Sequence, residues 1–298
     1  MFRRLASGVC RAKGTRQEIY GVFSGTNRLA GAGAVPTHQR EASWLGGSLS
    51  PDPLPSELLP NSNVKGMLRL PDLKKLVDKG EIDTTLIGFT DIYGRFMGKR
   101  LDATHFLEHT LPGGGTHACS YLLACDMDMT PLEGFKFANW RTGFGDVELV
   151  PDVSTLRIAS WLDKTCMVIC NPERDHAPVS IAPRVILQRQ IDRARKKGYG
   201  ALAALELEFY LYDTSYREAR QNQYAMSKMR PSSDVVQDYH ILQGGREEKF
   251  NQAFRRHLTM SGVPVEGSKG EAGHGQQELN LVYCDALTMA DRHVVYKR

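Results

Sequence analysis

The sequence predicts an α+β protein, and three observations carry that prediction. Between residues 84 and 170, short apolar runs with strand character are separated by turn residues. After Pro172 the pattern changes to helix, strand, helix, strand, helix. Two acidic clusters, Ala-Leu-Glu206-Leu-Glu208-Phe-Tyr and Glu271-Ala-Gly-His-Gly-Gln276-Gln-Glu278-Leu-Asn, fall in the two strand segments of that second region.

The elements follow in order. Residues 1–63 read as a basic leader and linker. Arg3, Arg4, Arg11, Lys13, Arg16, Arg28 and Arg40 stand against Glu18 alone in the first forty positions, a net +6. The whole chain carries +4, so the rest carries −2 and shows no nucleic-acid footprint. Phe2, Leu5 and Val9 share one helical face, and the stretch resembles a mitochondrial transit peptide, so a mitochondrial or else cytoplasmic location is expected. Residues 21–62 are rich in Gly, Ser, Pro and Asn without a sustained period.

Residues 64–175 are expected to form one small, mostly β domain. Leu73, Leu76 and Val77 give a short amphipathic helix that stops at Gly80. The run from Thr85 to Arg100 reads as a strand, a turn at Tyr93-Gly94 and a returning strand. Further short strands are expected at Val147–Val150, Thr155–Ser160 and Thr165–Cys170, with a polar loop through Asp126, Asp128 and Asp146. The Gly113-Gly114-Gly115 run lacks a following Lys-Ser/Thr and is no phosphate loop.

Residues 176–298 form the second region. Pro183 opens a helix with Leu187, Ile191 and Ala194 on one face, ended by Gly198. The Glu206/Glu208 strand follows, then a polar, irregular excursion or flap over residues 215–245. Phe250, Ala253, Phe254 and Leu258 share a face of the next helix, which ends at Gly262. The Glu271/Glu278 segment and a helix from about Leu287 complete the order.

Composition narrows the functional classes. No apolar run approaches a membrane span. The six cysteines form no Cys-x-x-Cys pair and read as buried free thiols of a reducing compartment rather than zinc ligands or a disulfide framework.

The acidic clusters hold the chemistry. Glutamates two apart in a strand share a face, here with Ala204, Tyr210 and Tyr212, while Leu205, Leu207, Phe209 and Leu211 point the other way. Like charges are not buried side by side without a partner, and the simplest partner for four converging carboxylates is a divalent cation with oxygen ligands. An isolated Glu-x-Glu is more often an exposed strand face paired with Arg or Lys. The second cluster turns the balance.

Together these segments resemble the glutamine synthetase family. The resemblance rests on Glu206-Leu-Glu208-Phe, on Glu271 to Glu278, on Asp91-Ile-Tyr-Gly94-Arg95 with Gly145 to Asp152, and on the closing Ala290-Asp291-Arg292-His293 stretch. It implies an amino-terminal β-grasp domain and a carboxy-terminal catalytic domain built round a curved antiparallel sheet. It implies ATP-dependent joining of ammonia or an amine to the γ-carboxylate of glutamate through a γ-glutamyl phosphate. It further implies that Glu208, Glu271 and Glu278 hold a first Mg²⁺ or Mn²⁺ and that Glu206 belongs to a second. Glu266 would contact the nucleotide. Asp126 would be lent by a neighbouring subunit to deprotonate ammonium, with Asp128 as the other candidate. Homo-oligomeric rings are implied in the same way.

The family's second-metal histidine and glutamate, its glutamate-holding loop and its phosphate arginines have no counterpart in these 298 residues. The chain is therefore expected to be a fragment or truncated product without synthetase activity of its own. A non-catalytic, lengsin-like scaffold is the second reading, against which the retained carboxylates speak.

Overall fold

In the computed structural model the described residues are 64–298, together with a two-residue strand at Cys10–Arg11. The leader and linker lie outside the described residues.

Helix α1 (Leu70–Asp78) begins with Pro at its first turn and buries Leu73. Strands β1 (Thr84–Thr90) and β2 (Phe96–Asp102) form the expected hairpin. Its turn is tied by Asp91, whose carboxylate accepts from the N–H groups of Tyr93 (2.9 Å) and Arg95 (2.8 Å) and from the Arg95 guanidinium (2.6 Å). Gly94 takes the left-handed conformation that this turn needs (φ +74°). Lys99 and Arg100 are exposed within β2.

The first sheet has the order β2-β1-β5-β4-β3, with Ala177–Pro178 paired to β5. Here β3 is Thr116–Cys119, β4 is Asp146–Ile158 and β5 is Thr165–Arg174. The β1–β5 pair is parallel and the others are antiparallel. Two expectations change. The strands read at Val147–Val150 and Thr155–Ser160 are one long strand, interrupted in register between Asp152 and Arg157. Pro151 stays in register opposite Cys170, and the irregularity falls after Asp152. Strand β3 carried too little apolar pattern to be foreseen.

Helix α2 (Pro183–Arg195) leads into the second sheet. This has the order β7-β8-β6, all antiparallel, with β6 at Leu202–Tyr210, β7 at Val265–Gly270 and β8 at Gln276–Asp285. Helix α3 (Glu248–Met260) and helix α4 (Ala286–Tyr296) pack behind it. The span 215–245 is more ordered than its composition suggested: it holds Tyr216–Gln221, a 3₁₀ turn at Met226–Lys228 and Ile241–Gly244. Ser215 and Glu218 form a reciprocal cap on the first of these.

Two cores result. One lies about the first sheet and α1, around Ile87, Phe89, Phe106, Leu149 and Val168. The other joins Leu279 and Leu281 of β8 and Leu205, Leu207 and Phe209 of β6 to Phe254 and Leu258 of α3 and to Val295 and Tyr296 of α4. The phenol of Tyr296 reaches the Leu207 carbonyl at 3.4 Å. Cys119, Cys125, Cys166, Cys170 and Cys284 are all free, and all but Cys119 are buried. No described helix is long and apolar enough to cross a membrane.

A buried charged joint ties the two regions. Arg184 of α2 donates to both oxygens of Asp291 in α4 (2.8 and 2.9 Å), to Asp152 of β4 (2.7 Å) and to Asn171 of β5 (2.9 Å). Beside it Arg157 is fully buried, and burial pushes its pKa down to about 10.

Candidate metal centre

Alternation along β6 places Leu205, Leu207 and Phe209 on the core and turns Glu206, Glu208 and Tyr210 outward. Register does the rest. Glu278 of the central strand lies opposite Glu208 on one side and Lys269 on the other, and Asn280 lies opposite Glu206. Gln276, Glu278 and Asn280 thus share a face with Glu206 and Glu208. Glu206 and Glu208 are exposed on that face, not buried side by side as the sequence argument had supposed. The open face leaves them accessible.

Glu271 stands just past β7, where the chain turns back to β8. The turn is narrow: Gln276 N–H donates to the Gly273 carbonyl, and Glu271 N–H donates to the Gln276 carbonyl at 2.9 Å. Gly275 is left-handed (φ +71°), and a Cβ there would meet the Leu211 carbonyl at 2.7 Å. A Cβ at Gly273 would meet the Tyr210 hydroxyl at 2.5 Å. The glycines let the turn close over the end of β6. They bring one carboxylate oxygen each from Glu208, Glu271 and Glu278 within 4.8 Å of one another.

That spacing fits a small hard cation, since oxygens on opposite sides of an ion at about 2.1 Å stand roughly 4.2 Å apart. The donor set is all oxygen, which suits Mg²⁺, Mn²⁺ or Ca²⁺. Asn280 Oδ1 is buried without a hydrogen-bond partner, one more oxygen awaiting a donor or cation in the register position opposite Glu206.

Three residues outside the predicted set shape this face. Gln276 donates from Nε2 to Glu208 Oε2 (2.7 Å), while its Oε1 accepts from Tyr210 Oη (3.1 Å) and Gly273 N–H (2.9 Å). Lys269 bonds Glu271, and its ammonium lies 3.4 Å from Glu278 and 3.3 Å from Asp238. Sequence reading passed over Lys269, although a lysine two residues before Glu271 in a strand shares its face. Asp238 could not be foreseen, because it arrives from the 215–245 span, which meets β7 at Gly270.

The electrostatics follow. Burial pushes the Glu278 carboxyl up, and Glu271 beside it adds to the shift. Glu271 is held down by the hydrogen bond with Glu278 and by Lys269. Burial opposes the Lys269 charge, but Glu271, Asp238 and Glu278 outweigh it and raise its pKa well above the ordinary lysine value.

The remaining predicted residues lie elsewhere. Glu266 is exposed at the bulge of β7, where the register slips between Val265 and Gly267. Asp126 accepts from the N–H groups of Asp128 (2.9 Å) and Thr130 (2.8 Å), so its carboxylate closes its own loop. Arg95 ties that loop to the β1–β2 turn through the carbonyls of Asp126 and Met127. His274 is exposed.

Residues 180–298 match the family model for the glutamine synthetase catalytic domain. The chain belongs to the glutamine synthetase family. It is 37% identical to the gamma-glutamylethanolamide synthetase GlnA4 of Streptomyces coelicolor, over 81% of this chain and 52% of that protein. It is 31% identical to a glutamate–isopropylamine ligase of a Pseudomonas species, over 79% of this chain and 50% of that protein. A solved structure described as apo GmaS without ligand shares its fold with a TM-score of 0.60 at 21% identity, over 76% of this chain and 49% of that one. The chain thus spans about half the length of the glutamine synthetase relatives it matches.

Proposed function

We propose that this chain carries the first-metal half of an ATP-dependent ligase that joins ammonia or a primary amine to the γ-carboxylate of glutamate. The observation that carries this reading is the convergence of Glu208, Glu271 and Glu278 at metal-ligand spacing on an open sheet face. The names of two relatives above 30% identity, an ethanolamide synthetase and an isopropylamine ligase, favour an amine over ammonia.

In this reading Glu208, Glu271 and Glu278 hold Mg²⁺ or Mn²⁺, with Gln276 fixing the free rotation of Glu208. Glu206 and Asn280 offer oxygens toward a second cation. The bound cation supplies neutralisation of the ATP phosphates as an anionic nucleophile approaches them. The γ-carboxylate oxygen of glutamate attacks the γ-phosphorus and ADP leaves. The amine then attacks the γ-carbonyl carbon, phosphate leaves and one proton is lost. Asp126, supplied from a neighbouring subunit of a ring, is the proposed acceptor of that proton. Glu266 is proposed to meet the nucleotide. A mitochondrial address in residues 1–63 is proposed from the basic leader alone.

Metal binding tests the reading directly. Mn²⁺ is expected to raise the melting temperature of the chain, and Glu208→Ala and Glu278→Ala are each expected to abolish the shift. An equal shift in wild type and both variants would place the cation elsewhere and remove the basis of the proposal. In a protein that turns over, phosphate release with ATP and glutamate, compared for ammonia, ethanolamine and isopropylamine, separates the amine from the ammonia reading.

A further inference from the structure

Lys269 is in the wrong place for an ordinary surface salt bridge. It sits on the central metal-facing side of the sheet, directly opposite Glu278, and reaches two of the three carboxylates that converge there. Its ammonium has a second set of partners away from the cluster. Asp238 lies at 3.3 Å, the Gly270 carbonyl at 3.2 Å, and the ring of Tyr239 faces it with its centroid at 4.3 Å.

This second set is held firmly. Asp238 bridges in parallel to Gly270, extending the sheet beyond β7. Gln237, just before it, is buried and donates to Glu247 at 2.5 Å and to the Gln243 carbonyl at 3.0 Å. Gln277 of β8 donates to Gln237 at 2.9 Å and accepts from Asn251 of α3 at 2.8 Å. A chain of buried amides therefore fixes the Asp238–Tyr239 pair against the edge of the sheet.

We infer that Lys269 is a built-in counter-cation of the carboxylate cluster, which must release Glu271 and Glu278 for a divalent ion to take them, its ammonium being retained by Asp238 and Tyr239. The inference rests on the metal reading above and adds a residue that sets how tightly the cation is held. The physical reason is competition. An ammonium and a divalent cation draw on the same oxygens and repel each other. Asp238 and Tyr239 lower the cost of the displaced arrangement because they still compensate the lysine charge.

Two substitutions then act with opposite sign. Lys269→Met keeps the side-chain length and removes the competitor, so it is expected to tighten Mn²⁺ binding at least tenfold, read by calorimetric titration or by the loss of the free Mn²⁺ paramagnetic resonance signal. Asp238→Asn removes the charged retreat of the ammonium and is expected to weaken Mn²⁺ binding several-fold. A lysine that served only as a strut would give equal or weaker Mn²⁺ binding in Lys269→Met, and that result overturns the inference while leaving the metal reading intact. Equal or tighter binding in Asp238→Asn overturns it as well, and this variant decides the matter alone if Lys269→Met does not fold. Absence of Mn²⁺ binding in the wild type and in both variants overturns the metal reading and this inference together.

Discussion

Gln276 spends its whole amide on the glutamate face: the nitrogen on Glu208, the oxygen on Tyr210 and the Gly273 N–H. Groups that orient metal ligands typically govern affinity by about 10–100-fold. Gln276→Leu is therefore expected to weaken Mn²⁺ binding by roughly that factor while leaving the far-ultraviolet circular dichroism unchanged. Gly275 makes a sharper demand. Its left-handed backbone and the Leu211 carbonyl at 2.7 Å from any Cβ predict that Gly275→Ala loses stability by about 1–3 kcal/mol in urea titration. At this scale the acidic residues could be read in the sequence, since strand alternation alone places Glu206 with Glu208. Lys269 follows the same alternation, but its place opposite Glu278 depends on the β7–β8 register, which no sequence pattern shows. Asp238 was not readable at all. Its position depends on where a span without period or apolar pattern comes to rest.

Helices and strands were legible to the extent that their apolar pattern was complete. Helix α3 was predicted from Phe250, Ala253, Phe254 and Leu258, and Phe254 packs at a tilt against Tyr296 with ring centroids 4.8 Å apart. Strand β4 was divided in prediction because Pro151 and the polar Asp152–Ser154 stretch mimic a turn, whereas a bulge carries the strand through. The short helices within 215–245 are fixed by local caps such as Ser215–Glu218 rather than by hydrophobic periodicity, so composition hid them. The second sheet depends on its rear face. Leu279 is fully buried at the centre of β8, one residue from Glu278. Leu279→Ala is expected to destabilise by about 2–5 kcal/mol through the cavity it leaves. Because β8 carries the central ligand, the same variant is also expected to blunt the Mn²⁺ melting shift, measured side by side with wild type.

At the scale of the molecule, the Arg184 joint unites what the sequence divided into regions. It brings Asp152, Asn171 and Asp291 to one guanidinium; Asp152 and Asp291 lie in segments that carry the family resemblance, but nothing in the sequence pointed to their meeting at Arg184. Removing one partner of a buried ion pair costs about 3–5 kcal/mol, because the others stay charged without compensation. Arg184→Met is expected to lose that much in denaturant unfolding, and Arg184→Met with Asp291→Leu to recover part of it. The joint also sets a timetable. Arg184 and Asp291 lie 107 positions apart in the chain, and Gly66 meets the Met260–Gly262 backbone across an even longer separation. A chain emerging from the ribosome presents the first sheet and Arg184 well before the carboxylate that completes their contact, and distant closures of this kind slow folding. Until α4 has been synthesised, Arg184 has Asp152 and Asn171 to meet but not Asp291, so the contact that closes the joint is among the last the chain can make.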